Sequence, residues 1–340
     1  MIKFKKIKIF CTILLTSVIF SKTFFACPKI AFAQTNKTAQ YPVVQTQTMY
    51  TYEEMNEDIK ELHTLYPDLV TVGSTGTSAL GRNIPYFTIG NINSGHNILI
   101  QSTVHAREYI ATQVVMKMAE YYLSQDAQNP ELLDNVCFYI MPMNNPDGVA
   151  ITQFGTKYIT NQDTVNFVKS TGHISEWKAN AMGVDINRNF DIGWENLTPR
   201  VKGRSYKDYK GDTKVSEPET KALINFASAR NYDCFLSYHM QGNVIYYDEP
   251  GNTIENSTRS TLLAKAISNV NGYQLRNLNV SVATNEVQQG GFNDWVQIRF
   301  NKPGCTIELG TSLPPKAQKT ATFIYNKNRD TWKAVAKLYY

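Results

Sequence analysis

The run from Asn97 to Val104 is apolar for most of its length and ends at His105. It lacks the polar alternation of a strand with one wet face, so it reads as a strand covered on both sides. A helical spacing of apolar residues follows from Tyr109 to Tyr122. The same pairing of buried-type strand and amphipathic helix recurs along the chain. Val136 to Met141, Cys234 to Tyr238 and Cys305 to Ile307 read as strands; Thr261 to Val270 and Ala321 to Tyr339 read as helices. Before them, Thr51-Tyr52-Glu53-Glu54 forms a capping box, with Met55, Ile59, Leu62 and Leu65 at helical spacing up to Pro67. Leu69 to Val72 and Ile84 to Ile89 add two shorter strands. Ser216-Glu217-Pro218-Glu219 reads as a second capping box, opening a helix to about Ala229. Asn144 to Gly148 reads as a tight turn, and residues 149 to 181 as a polar loop over one face. This alternation predicts a single α/β domain over residues 49–340, with a mixed, mostly parallel sheet and helices on both faces.

The first residues carry lysines at positions 3, 5, 6 and 8, then an apolar run from Ile9 to Phe20, then Ala31-Phe32-Ala33. That order of basic, apolar and small residues predicts a secretory signal peptide, residues 1–33, and hence a secreted protein. Residues 34–48 are polar and aperiodic and read as a flexible lead-in. The chain has 34 Lys+Arg against 29 Asp+Glu, but residues 1–33 hold six lysines and no acid, which leaves 28 against 29. The basic balance belongs to the leader, and no electrostatic case remains for nucleic acid or, after signal removal, for a membrane. Of five cysteines, Cys137, Cys234 and Cys305 lie beyond the leader in apolar runs, the setting of buried thiols rather than of a disulfide framework.

His105, His239 and Glu308 all fall where an expected strand stops, and ligands of such sheets bind beyond strand ends. His105 and Glu108, three residues apart on a strand-to-helix turn, can converge on one Zn²⁺ and leave room for a third ligand and an open position. A His-x-x-Glu pair alone arises by chance, so its context matters.

Five motifs supply that context: Val104-His105-Ala106-Arg107-Glu108, Asn145-Pro146-Asp147-Gly148, Gly183-Val184-Asp185-Ile186-Asn187-Arg188-Asn189-Phe190, Ser237-Tyr238-His239, and Cys305-Thr306-Ile307-Glu308-Leu309-Gly310. Together and in this order they resemble the zinc carboxypeptidases of the carboxypeptidase A-like type, from about Tyr50 onward. The resemblance implies a zinc metallopeptidase fold and one Zn²⁺ per chain, held by His105, Glu108 and His239. It implies that Asp185 accepts the other ring N–H of His105, that Glu308 is the catalytic base, and that Asn187 and Arg188 hold a substrate carboxylate. A carboxylate beside an activated water can take its proton and return one to the leaving amine. The planar guanidinium suits bidentate binding of a carboxylate. Arg107 suits either substrate positioning or a structural ion pair.

Two positions depart from the family pattern. Lys178, in Trp177-Lys178-Ala179-Asn180, stands where the family has an oxyanion-stabilising arginine, with Lys157 as a second candidate; Glu286 falls near the place of the family's mobile tyrosine. Asn293, in Gly291-Phe292-Asn293-Asp294-Trp295, falls at the specificity-pocket position, and its neutral polar amide argues against a purely apolar pocket for aromatic ends and against an acidic pocket for basic ends. The segments around Trp177, Ser216 and His239 look most like the bacterial branch that cleaves γ-D-glutamyl-diaminopimelate bonds in cell-wall peptides. The expected partners are therefore peptides, peptidoglycan stem peptides among them, and the expected location is extracellular or wall-associated. A general metallocarboxypeptidase, a zinc-dependent deacylase and a catalytically silent peptide-binding relative are the other readings.

Overall fold

The computed structural model describes residues 42–45, 49–279, 290–314 and 319–340, all within one compact unit spanning residues 39–340. The expected signal peptide and the position of Glu286 lie outside the described residues. In chain order the elements are α1 (Tyr52–Leu65), β1 (Val70–Thr77), β2 (Asn83–Ile89), β3 (His96–Ser102), α2 (Ile110–Gln125), α3 (Glu131–Asn135), β4 (Val136–Met141), α4 (Pro146–Phe154) and α5 (Gln162–Thr171). Then come α6 (Pro218–Ser228), β5 (Cys234–His239), β6 (Val244–Tyr247), α7 (Ile254–Asn271), β7 (Gln274–Asn277), α8 (Phe292–Phe300), β8 (Gly304–Glu308), α9 (Ala321–Asn328) and α10 (Thr331–Ala336).

The strands form one sheet in the order β1-β2-β4-β3-β5-β8-β6-β7. Its centre is parallel, β4 with β3, β3 with β5 and β5 with β8, while β1, β2 and the β6–β8 pair are antiparallel. Successive residues of the central strands alternate between two cores. Val136, Phe138 and Ile140 join α1, α2, α7, α9 and α10 in one; Cys137, Tyr139 and Met141 join α6 and α8 in the other. Helices therefore cover both faces, as the unbroken apolar runs require. Cys137, Cys234 and Cys305 are buried free thiols.

Several local readings change. The Thr51–Glu54 capping box forms, and Met55, Ile59 and Leu62 are buried. The lead-in is not wholly free: Val44 is fully buried, and the Val43 and Val44 amides donate to Glu120 at 2.5 and 3.3 Å. Asn144 to Gly148 is a helix start rather than a turn, with Asn145 Oδ1 accepting from the Gly148 amide. Residues 149–181 are not an irregular loop. Asn161 caps α5 by accepting from the Thr164 amide, Gly172 ends it with φ 66°, and Val168, Trp177, Ala179 and Ala181 bury in a third apolar cluster. Ser216 does not cap α6, because that helix begins at Pro218 and the Ser216 hydroxyl donates to Glu217 instead. The expected C-terminal helix breaks between α9 and α10, and Trp332 stacks on Tyr122 and Phe138 while its indole N–H donates to the Tyr238 hydroxyl at 2.9 Å.

Candidate active site

Because β3, β5 and β8 run parallel, their C-terminal ends open on one edge of the sheet. Ser102 pairs with Tyr238, and His239 with Glu308. Beyond Ser102 the chain turns through Thr103, at φ 55°, into the short 3₁₀ turn Ala106–Glu108. This turn is clamped from two sides. The Asn145 amide donates to Val104 O and Ala179 O, each at 3.0 Å, and the Ala106 amide donates to Lys178 O at 3.2 Å. Gly148 is required beside this clamp, since a Cβ there would lie 2.5 Å from Ala179 O.

The clamped turn brings His105 and Glu108 to His239. His105 Nδ1 lies 2.9 Å from Glu108 Oε1 and 3.1 Å from His239 Nδ1, and His239 Nδ1 lies 3.1 Å from Glu108 Oε2. All three residues are buried. Two imidazole nitrogens and a carboxylate converging on one point form a donor set suited to zinc: three protein ligands of N and O type with a position left open. Burial alone would push the Glu108 carboxyl up, but the His105 and His239 rings hold it below its usual range.

The other ring nitrogen of His105 faces Asp185 Oδ1 at 3.2 Å. Asp185 is fully buried, its Oδ1 also accepting from the Asn187 amide, and its Oδ2 lies 3.0 Å from Lys178 Nζ and 3.5 Å from Arg188 Nε. Burial again acts upward, yet Lys178, His105 and Arg188 keep this carboxyl well below the ordinary aspartate range. It is thus a fixed anion that orients His105 and spaces two cations along the cavity wall. Asp208 shares the task, 3.8 Å from Lys178 and 3.5 Å from Arg188.

Glu308 lines the same cavity, of about 500 Å³, together with His105, Lys178, Asp185, Asn187, Arg188, His239 and Asn293. Burial, reinforced by the Glu108 charge, pushes its carboxyl up to about 7, against the opposing pull of His239, Lys178 and Arg107. Its Oε2 has no hydrogen-bond partner among the described residues. A carboxyl near 7 with a free oxygen is matched to taking and giving protons at neutral pH. Asn187 lines the cavity while its Oδ1 accepts from the Phe292 amide at 2.9 Å, which pins the start of α8 beside Arg188.

Two expected residues are not brought together with these. Arg107 is not among the residues that line the cavity, though its charge acts on Glu308. Lys157 lies over the rings of Phe154 and Tyr158, at 5.9 and 5.0 Å, outside the cavity. The reading of Asn293 as a mark of a non-acidic pocket also changes. Its amide donates to Glu249 Oε1 at 2.7 Å, so the position presents a carboxylate supplied from the turn after β6. Glu249, Tyr246 and Arg276 line the cavity and were not legible as site residues, whereas Asp294, which also lines it, lies in the segment read as the specificity pocket. The only local signal was the acidic pair Asp248-Glu249 before Pro250-Gly251.

The chain is 31% identical to gamma-D-glutamyl-L-diamino acid endopeptidase 1 of Lysinibacillus sphaericus over 291 residues, covering 80% of this chain and 68% of that protein. It is 29% identical to carboxypeptidase B of Astacus astacus over 269 residues, covering 76% of this chain and 85% of the relative. Among solved structures, carboxypeptidase A from Helicoverpa armigera superposes with a TM-score of 0.68 at 22% identity, over 86% of this chain and 74% of that one, which shows a shared fold. The zinc carboxypeptidase family model matches residues 55–334. With the family's motifs gathered at one sheet edge and its model spanning nearly the whole described domain, this chain belongs to the zinc carboxypeptidase family and is a peptide hydrolase.

Proposed function

We propose that this chain is a secreted, zinc-dependent peptidase that cuts the γ-D-glutamyl-diaminopimelate bond of cell-wall stem peptides. The observation that carries the reading is one cavity lined by His105, His239, Glu308 and Arg188, with Glu108 completing the donor set beside the two histidines. The relative whose name specifies a γ-D-glutamyl-L-diamino acid endopeptidase supports the choice of bond. The basic, apolar and small-residue order of residues 1–33 supports secretion.

His105, Glu108 and His239 would hold the zinc, which when bound supplies a Lewis acid that polarises the scissile carbonyl and lowers the pKa of water. The protein's own groups do the rest. Arg188 takes the free carboxylate of the residue to be released, its guanidinium steadied by Asp185 and Asp208. Lys178, fixed by the same two acids, offers a positive charge where the carbonyl oxygen gains negative charge. Glu308 takes a proton from the attacking water and passes it to the leaving nitrogen.

The test is mass-spectrometric product analysis with zinc-loaded protein, a γ-D-Glu-diaminopimelate tripeptide and a mixture of ordinary peptides. Release of diaminopimelate supports the reading. Trimming only of ordinary C-termini favours the second reading, a general metallocarboxypeptidase, which the similarity to carboxypeptidase B also supports.

A further inference from the structure

A lysine carries a point charge on a flexible stem, without the fork that fixes a guanidinium, so the placement of Lys178 must come from its surroundings. Its Nζ lies 3.0 Å from Asp185 Oδ2, and both residues line the cavity. The two stand at opposite ends of the loop 178–185, which contains no helix or strand. What closes that loop is Asn180.

Asn180 is fully buried. Its Oδ1 accepts from the Met182 and Val184 amides, each at 3.0 Å, its own amide donates to Val184 O at 2.9 Å, and its carbonyl accepts from the Gly183 amide at 3.1 Å. These bonds draw the chain back on itself, so that Asp185 directly follows a residue tied to Asn180. The side-chain nitrogen faces the other way. It donates to Glu217 Oε2 at 2.6 Å and to Glu219 Oε2 at 3.0 Å. A side-chain amide has two donors and two lone pairs, and here each is used. Aspartate has no donor for the two acids, and glutamine is a methylene too long for a closed site.

The two acids are themselves fixed at the start of α6, and both are buried. The Glu217 amide donates to Asn189 Oδ1 at 3.2 Å, the Ala79 amide to Glu219 Oε1 at 2.9 Å, and Asn144 Nδ2 to Glu219 O at 3.2 Å. Buried carboxylates are costly unless donors reach them, and Asn180 is the donor these two share. The start of α6 thus holds the residue next to Arg188 with one acid and the loop of Lys178 with both.

Resting on the reading of Lys178 above, we infer that Asn180, anchored by Glu217 and Glu219, is a positioning residue for the hydrolysis: it closes the loop that sets Lys178 against Asp185, and so places the charge offered to the carbonyl oxygen. None of the three lines the cavity, and their influence on the rate passes through Lys178.

The experiment measures kcat, KM and melting temperature of the zinc-loaded protein, on a peptide it cleaves, for wild type, Asn180→Ala, Lys178→Met and the double variant. Asn180→Ala should lower kcat about tenfold and leave KM within about twofold, since Arg188 still holds the substrate carboxylate. In the Lys178→Met background the same change should leave kcat within about twofold, the non-additivity of residues that act as one. Should Asn180→Ala not fold, Glu217→Ala removes one anchor and keeps the loop's own bonds. Its smaller fall in kcat should likewise vanish beside Lys178→Met, and Glu217→Gln, which keeps an acceptor, should restore the rate. A lower melting temperature with kcat unchanged, or an equal loss of kcat in both backgrounds, would overturn the inference and leave the reading of Lys178 standing. If Lys178→Met keeps the wild-type kcat, the reading of Lys178 falls and the inference falls with it.

Discussion

At the histidine end of the cavity, Glu108 lies between two imidazoles and Asp185 faces Lys178, Arg188 and His105, and both carboxyls are held below their ordinary ranges. At the β6/β7/α8 end, Glu249 and Asp294 hydrogen-bond each other and form no ion pair among the described residues, and burial pushes both up. Glu108, Asp185 and Glu249 are all buried, so the difference is the partner. The histidine end is already charge-balanced except for the metal its donors suit, and needs the substrate only for chemistry. The other end pairs its two carboxyls with each other instead of with a cation. Glu308 stands between the two: cations surround it at some distance, yet burial still raises it to about 7.

Substitutions at four positions would break or sharpen this contrast. The largest effect belongs to Glu308→Gln, which removes the proton carrier and leaves the donor set intact. Activity should fall about a thousandfold, while zinc content measured by atomic emission stays at the wild-type ratio. Loss of zinc along with activity would place Glu308 among the ligands instead. Lys178→Met should cost about a hundredfold in kcat with little change in KM, and Lys178→Arg should restore most of it. An unchanged kcat would make Lys178 merely the structural counter-ion of Asp185.

A smaller effect is expected from Asp185→Asn, which takes away the anion that orients His105. Zinc affinity, measured by competition with a chelator, should weaken by about 10- to 100-fold. The smallest effect is on stability and lies outside the cavity. Glu219 is fully buried, accepts from the Ala79 amide and from Asn180, and forms no ion pair with a described residue, so burial raises it to about 7. In the folded state it keeps a proton that the unfolded chain loses near pH 4.5. Its stabilising contribution is therefore complete below that pH and lost as pH rises through about 7. Urea unfolding at pH 5 and pH 8 should show this loss, about 1 to 2 kcal/mol, in wild type but not in Glu219→Gln. Equal pH dependence in both would mean that burial without a cation does not raise a carboxyl in this fold, and would weaken the reading of Glu249.

The histidine end was legible in the sequence because its residues sit in short contiguous motifs, each at the end of a strongly apolar strand. His105, Glu108, Asp185, Arg188, His239 and Glu308 all come together as their motifs implied. The other end was not, because it is assembled from β6 and β7, strands of four residues, and from a helix that starts at Phe292. No periodicity emerges over so few residues. Asn293 was read by itself as neutral, whereas its meaning comes from Glu249, 44 positions away in the chain. The stretch from 149 to 181 went unread for another reason. Its helices carry the ordinary signals, Asn161 at the start of α5 and Gly172 at its end, but too few apolar residues for the pattern to stand out.

The most direct measurement is a crystal structure of the zinc-loaded protein with the product meso-diaminopimelate. The account predicts zinc on His105, Glu108 and His239, the carboxylate of the released residue on Arg188, and its amino nitrogen facing Glu308. Zinc held by other residues, or a product whose carboxylate lies away from Arg188, would contradict the account.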